Sequence, residues 1–277
     1  MNLPMLTLSL VLSCAVVGRA DVHYVEEVTS SALGQTDEYK TINQVYIKGM
    51  RQKIHSRIDA SKKAARTLEK QGQSLDTSTI LRLDAVDVHE IDHVAQTYVR
   101  ERLPAAKLVA AKPTPQNPNA PVVKFRVKSM PDTKRIEGIL CQRWAADMRA
   151  RYYEPGTRQV KKENRYLYQA WIAEDFPGYE EIQDFQELQA RRTSYPSLIS
   201  GGLEQLRETV EDYDQLAAQM DSLKGFPMQS VLTVYVSPGG KKKKQIFQLT
   251  RTIKSLSYSP LSDTLFLRSK GLKKIVK

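Results

Sequence analysis

Residues 88–99 read "VHEIDHVAQTYV" and contain His89-Glu90-x-x-His93. On a helix this spacing turns two imidazoles toward one zinc ion and sets the glutamate beside them as the general base of a metallopeptidase. Val88, Ile91, Ala95 and Tyr98 do have helical spacing. Three features oppose the reading. Asp92 puts a charge between the histidines, on a helix that working zinc peptidases bury. Gln96 and Val99 stand where the extended motif has glycine and histidine, so no third ligand follows. Finally, "TILRLDAVDVHEID" begins as a strand and a polar turn, which would leave the histidines in a hairpin. Four apart on a strand they share a face but lie about 13 Å apart, too far for one zinc. His89, Glu90 and His93 are thus the alternative metal site, and the expectation is no metal.

The segments around them read mostly as strands. Residues 44–49, 53–59, 122–128, 165–173, 230–236 and 246–254 are short and rich in β-branched and aromatic residues. Val123, Phe125 and Val127 alternate with Lys124, Arg126 and Lys128, the pattern of a sheet with one buried and one wet face. One segment is plainly helical: over residues 203–223, Leu203, Leu206, Val210, Tyr213, Leu216, Ala217 and Met220 recur at helical spacing among Glu and Asp. Gly225 reads as its C-terminal cap and Pro227 as its stop. Weaker helical patterns cover 62–71 and 178–192. "KPTPQNPNAP" (112–121) can continue neither a helix nor a central strand. We read it as a long surface loop within one domain, residues 21–277.

Leu3 to Val17 form an apolar run too short to span a bilayer comfortably. It is followed by "VGRA", so residues 1–20 read as a secretory signal with cleavage before Asp21. A small residue directly before Cys14 leaves open a lipoprotein reading, with lipid on that cysteine. No later stretch is apolar enough to cross a membrane as a helix. Of the two cysteines only Cys141 would remain, which reads as a buried apolar residue; export without an internal disulfide then leaves stability to packing. The chain has a net charge of +11, and in an exported protein that points away from nucleic acid and toward an anionic envelope surface. Lys241, Lys242, Lys243 and Lys244 form a run at an expected hairpin tip. Such a run is a solvated turn that discourages edge pairing, or a docking patch.

"TILRLDAVDVHEIDHVAQTYV" also resembles a family of exported bacterial proteins of unknown function related to the LolA-like lipoprotein carriers, through Arg82, Leu83, Asp84, Ile91, Asp92 and Tyr98. The likeness continues in "IEGILCQRW" (136–144), "AWIAEDFPG" (170–178), "GFP" (225–227) and "LSDTLFLRSKGLKKI" (261–275), and covers most of the mature chain. Ser269 stands where the family has a proline, and the loop at 112–121 reads as an insertion. The resemblance implies a mainly β (α+β) fold, an antiparallel incomplete barrel closed by an amphipathic helix, whose concave face in lipoprotein carriers holds acyl chains. It implies no enzyme, no catalytic residue and no cofactor.

The expectation is therefore an exported protein of the periplasm or envelope with lipid or lipoprotein acyl chains as partners. Leu203, Leu206, Val210, Tyr213 and Met220 would form the lid, and Phe125, Val127 and Trp171 the cavity wall. An adaptor docking through its basic surface is the alternative, and the zinc peptidase a further one.

Overall fold

The computed structural model describes residues 21–32, 39–105, 121–157, 159–193, 225–239 and 242–276. These are mostly strand, in one open, curled sheet not closed into a barrel, with two helices. This agrees with the expected incomplete antiparallel barrel: the sheet curls, and its end strands do not pair with each other. The helix expected at 203–223 lies outside the described residues, as do the signal segment and most of the Pro-rich loop.

The chain builds the sheet as two meanders that meet in the middle. From β1 (Val22–Ala32) it runs outward through β2 (Tyr39–Lys48), β3 (Arg51–Asp59), β4 (Asp76–Arg82), β5 (Asp87–Asp92) and β6 (Thr97–Arg102). Past residue 105 it resumes at the opposite edge as β7 (Val122–Ile136). It then returns through β8 (Ile139–Tyr153), β9 (Val160–Ala173), β10 (Phe226–Pro238) and β11 (Lys244–Ser257), which pairs antiparallel with β1. A two-residue strand, β12 (Lys273–Lys274), adds in parallel to β6. Bulges at Val25/Glu26, Pro227/Gln229 and Tyr152/Tyr153 each leave one residue unpaired, and the irregularity at Ser129/Thr133 skips three residues of β7; such breaks bend strands and increase twist.

Period-two alternation drives the burial. In β1, Val22, Tyr24, Glu26, Val28 and Ser30 are buried, and the residues between them are half-exposed. α1 (Lys62–Lys70) starts at Ser61, whose hydroxyl accepts the Ala64 N–H, and buries only Ala64 and Leu68. α2 (Tyr179–Arg192) carries Glu180 and Glu181 in its first turn and Arg191 and Arg192 in its last, both favourable to the helix dipole. Its Ile182 and Phe185, about 1.5–3 kcal/mol each if fully buried, join a core with Val22, Tyr24, Ile47, Leu81 and Val88. A second, smaller cluster holds the C-terminal segment: Phe266, in a 3-10 turn at Asp263–Phe266, packs with Ile80 and Ile91.

The motifs that carry the family resemblance become packing joints around α2. Gly178 begins the helix at φ +81°, where a Cβ would stand 2.6 Å from Val22 Cγ2. Gly225 donates its N–H to Tyr179 Oη (3.1 Å) at φ +101°, and a Cβ there would meet Ile172 at 2.4 Å. Phe226 stacks edge-on against Tyr24 and packs beside Phe176. Cys141 is fully buried in the same core, and burial pushes its thiol pKa up, so it is an inert apolar residue.

Gly225→Ala is expected to lower stability by about 2–4 kcal/mol, overpacking added to left-handed strain. Gly49→Ala has nothing within 4 Å of the added carbon and should lose only the backbone share, about 1–2 kcal/mol. Urea unfolding of the two variants checks the difference.

Candidate functional site

β7 to β11 present one continuous apolar face. Register fixes two rows across it. Phe125, Met148, Tyr166, Val234 and Phe247 face one another strand by strand, and so do Val127, Ala146, Tyr168, Leu232 and Leu249. Among the described residues this cluster consists of strand residues alone. Its exposure changes in one step at the edge: Met148 on β8 is 1% exposed and Leu232 in the middle 2%, and Val127, on edge strand β7, is 36%. The alternation of β7 expected at Val123, Phe125 and Val127 is present, with Lys124, Arg126 and Lys128 exposed on the reverse.

The face runs into a buried ion pair. Arg251 and Glu26, 4% and 1% exposed, meet through Arg251 Nε donating to Glu26 Oε2 at 2.5 Å. Asn43 Nδ2 donates to the other carboxylate oxygen at 2.8 Å, and Arg251 Nη1 donates to the Pro227 carbonyl at 3.1 Å. The guanidinium also lies 5.2 Å from the Phe226 ring centroid. Burial opposes the charge on Arg251, and the neighbouring Glu26 outweighs it, so the arginine pKa rises. Burial, with Glu26 adding to it, pushes the Tyr24 hydroxyl well above its ordinary range, and burial raises Tyr168 too. Both phenols therefore stay neutral.

The structure corrects the metallopeptidase motif. Residues 87–92 are strand β5, paired with β4 and β6, so the helix that zinc chemistry requires is absent. Glu90 pairs with Thr79 and is out of phase with His89, so it stands on the other face of β5. His89 is largely buried, 3.6 Å from Asp87 Oδ2. Its pKa is lowered by burial against the opposing pull of that carboxylate. His93 follows β5 and sits instead with His55 and Asp76, whose ligand atoms and its own lie within 4.8 Å of one another.

Trp171 does not join Phe125 and Val127. It is out of phase with Tyr168 and Ala170 on β9, packs toward the α2 core and carries Lys134 Nζ 4.4 Å over its ring. Leu203, Leu206, Val210, Tyr213, Met220 and Lys241 lie outside the described residues. Lys242 and Lys243 are exposed, and Lys244 opens β11. Sequence reasoning missed the contribution of β8, whose Ala146 and Met148 alternate with Ala145 and Asp147, and the Glu26–Arg251 pair. A surface pocket of about 260 Å³ between Gly49, Met50 and α2 is lined by Asp184, Glu187 and Arg191, and lies apart from the apolar rows.

Among the described residues no helix is long and apolar enough to cross a membrane. No family model matches the sequence, and no curated protein matches it. Among solved structures, the chain is similar to an outer membrane lipoprotein-sorting protein domain from Vibrio parahaemolyticus, at 7% identity and TM-score 0.27 over 89% of each chain. It is also similar to a DUF1329 family protein from Desulfovibrio piger, at 9% identity and TM-score 0.17 over 91% of each chain. At such scores the likeness carries no argument about fold or ligand.

Glu26→Ala should cost about 3–5 kcal/mol, because it strands the Arg251 charge in the core. The double variant Glu26→Leu/Arg251→Met should recover most of that loss in the same denaturation assay.

Proposed function

We propose that this protein binds the acyl chain of a lipid or lipoprotein on the apolar face of β7–β11, as an exported, non-enzymatic carrier of LolA-like type. The observation that carries the reading is the strip itself: two apolar rows five strands wide, buried on β8–β11 and opening at edge strand β7. Each methylene taken from water contributes about 0.8 kcal/mol. A chain seated beside Val127 and Phe125 therefore gains free energy at once, and reaching β8–β11 requires displacing what already covers those strands. The amphipathic segment 203–223, with Leu206 and Val210 on its apolar side, is the movable cover in this reading. Export through the 1–20 leader, or lipidation at Cys14, places the carrier in the periplasm or envelope. No cofactor or catalytic group takes part.

A fluorescent long-chain fatty acid tests it. Val127→Asp and Phe125→Asp should weaken binding by about tenfold or more while far-UV circular dichroism stays unchanged. Val122→Asp, on the reverse face of the same strand and 49% exposed, should bind like wild type. Equal binding by all three variants would sink the reading.

A second reading, docking on an anionic envelope surface, is favoured by a concentration of lysines at one end of the sheet. Exposed Lys242 and Lys243 stand in the β10–β11 turn, and the Gly239 N–H in the same turn donates to the Lys161 carbonyl of the adjoining β9 at 2.7 Å. Each such lysine near an anionic bilayer contributes about 1 kcal/mol. Replacing Lys241–Lys244 with glutamine should abolish co-sedimentation with phosphatidylglycerol vesicles at low salt and leave fatty-acid binding intact; unchanged sedimentation would count against docking.

A further inference from the structure

We propose that His55, Asp76 and His93 form a binding site for a divalent transition-metal ion of the zinc type, at the end of the sheet half built from β3, β4 and β5. The three residues are far apart in sequence and brought together by register alone. His55 faces Ser78 across β3 and β4, Asp76 is two residues before Ser78 and so shares its face, and the His93 N–H donates to the Asp76 carbonyl at 3.0 Å. Strand pairing thus fixes the backbones of all three.

Their side chains already converge. His55 Nε2 lies 2.7 Å from Asp76 Oδ1, and the two imidazole rings are 5.3 Å apart at 63°, tilted rather than stacked. His93 Nε2 is held 2.8 Å from the hydroxyl of Ser78, a residue 2% exposed. Zinc bonds of about 2.0–2.2 Å need donor atoms roughly 3.4 Å apart in a tetrahedron. The present spread, within 4.8 Å, closes by rotation of side chains, with no change in strand register. Two imidazoles and one carboxylate make a donor set suited to zinc and neighbouring first-row ions rather than to calcium or magnesium. All three ligands are half-exposed, so water can complete the shell. Arg57, opposite Asp76, is exposed, where solvent screens its charge.

This is not the site that the His-Glu-x-x-His spacing describes. It takes one histidine of that motif, leaves out His89, and has no glutamate base, since Glu90 is on the other face. Its effect is mechanical: the ion ties three strands together across two ladders.

The test uses the full chain without an affinity tag, stripped with chelator, and titrated with zinc against a chromogenic competitor and by calorimetry. One zinc per chain is expected, with a rise in melting temperature. His55→Ala and His93→Gln should each weaken binding by about tenfold or more and abolish that rise, and Asp76→Asn should weaken it less. His89→Ala and His23→Ala should bind like wild type. The ligands' partial exposure keeps the variants folded, which far-UV circular dichroism checks. Absence of stoichiometric zinc, or equal loss in His89→Ala and His93→Gln, would overturn the assignment.

Discussion

The sheet depends on the ladder between β1 and β11, and that ladder has a buried charge pair at its centre. Everything on one side of it is the outgoing meander, and everything on the other the returning one. Arg251 and Glu26 sit on the two strands that join them. In a low-dielectric setting each charge is tolerable only because the other is there and because Asn43 and the Pro227 carbonyl take up further hydrogen bonds, although Arg251 Nη2 is left without one among the described residues. An apolar pair of similar volume would hold the strands nearly as well. What the ion pair adds is direction: slipping β11 by one residue against β1 would send Arg251 to the face opposite Glu26 and leave both charges unpaired.

The same pair divides the buried side of the sheet. Toward one end, Tyr24, Phe226 and Phe176 gather with α2 into a core fixed by close aromatic contacts and by two glycines that admit no side chain. Toward the other end, the rows on β7–β11 are equally apolar but are built from strands alone among the described residues. The first region is closed by design of its turns. The second opens to solvent at its β7 edge, where Val127 is 36% exposed.

How much of this could be read from the sequence follows the range of the interactions. The Val123, Phe125 and Val127 alternation is local, and it appears in β7 as read. α1 and α2 were legible at 62–71 and 178–192 although their apolar stripes are thin. β8 was not legible as an element from composition, because Ala145, Ala146 and Ala150 blur the contrast between its faces. The helical spacing of Val88, Ile91, Ala95 and Tyr98, outweighed in the sequence by the strand-and-turn pattern before it, has a physical source: in β5, Val88 packs in the α2 core and Ile91 against the C-terminal segment, so both faces of the strand are buried and period two is lost. Openness of the sheet was expected only through the family resemblance; no local pattern encodes it, since closure depends on whether β7 meets the opposite edge. The meeting of His55 with Asp76 and His93, like that of Glu26 with Arg251, depends on ladder register, and no single-chain pattern encodes it.

The position of β1 also sets an order of events during synthesis. Its outer partner, β11, is made more than two hundred residues later, after the whole returning meander. Until then β1 has a ladder on one side and free N–H and C=O groups on the other, with buried-type residues such as Tyr24 and Val28 beside them. A contact so distant along the chain forms slowly, because a long loop must close before it is rewarded. Before β11 exists, then, the first half of the molecule is a half-sheet with an adhesive edge, and its safety rests on timing or on a chaperone rather than on the finished fold.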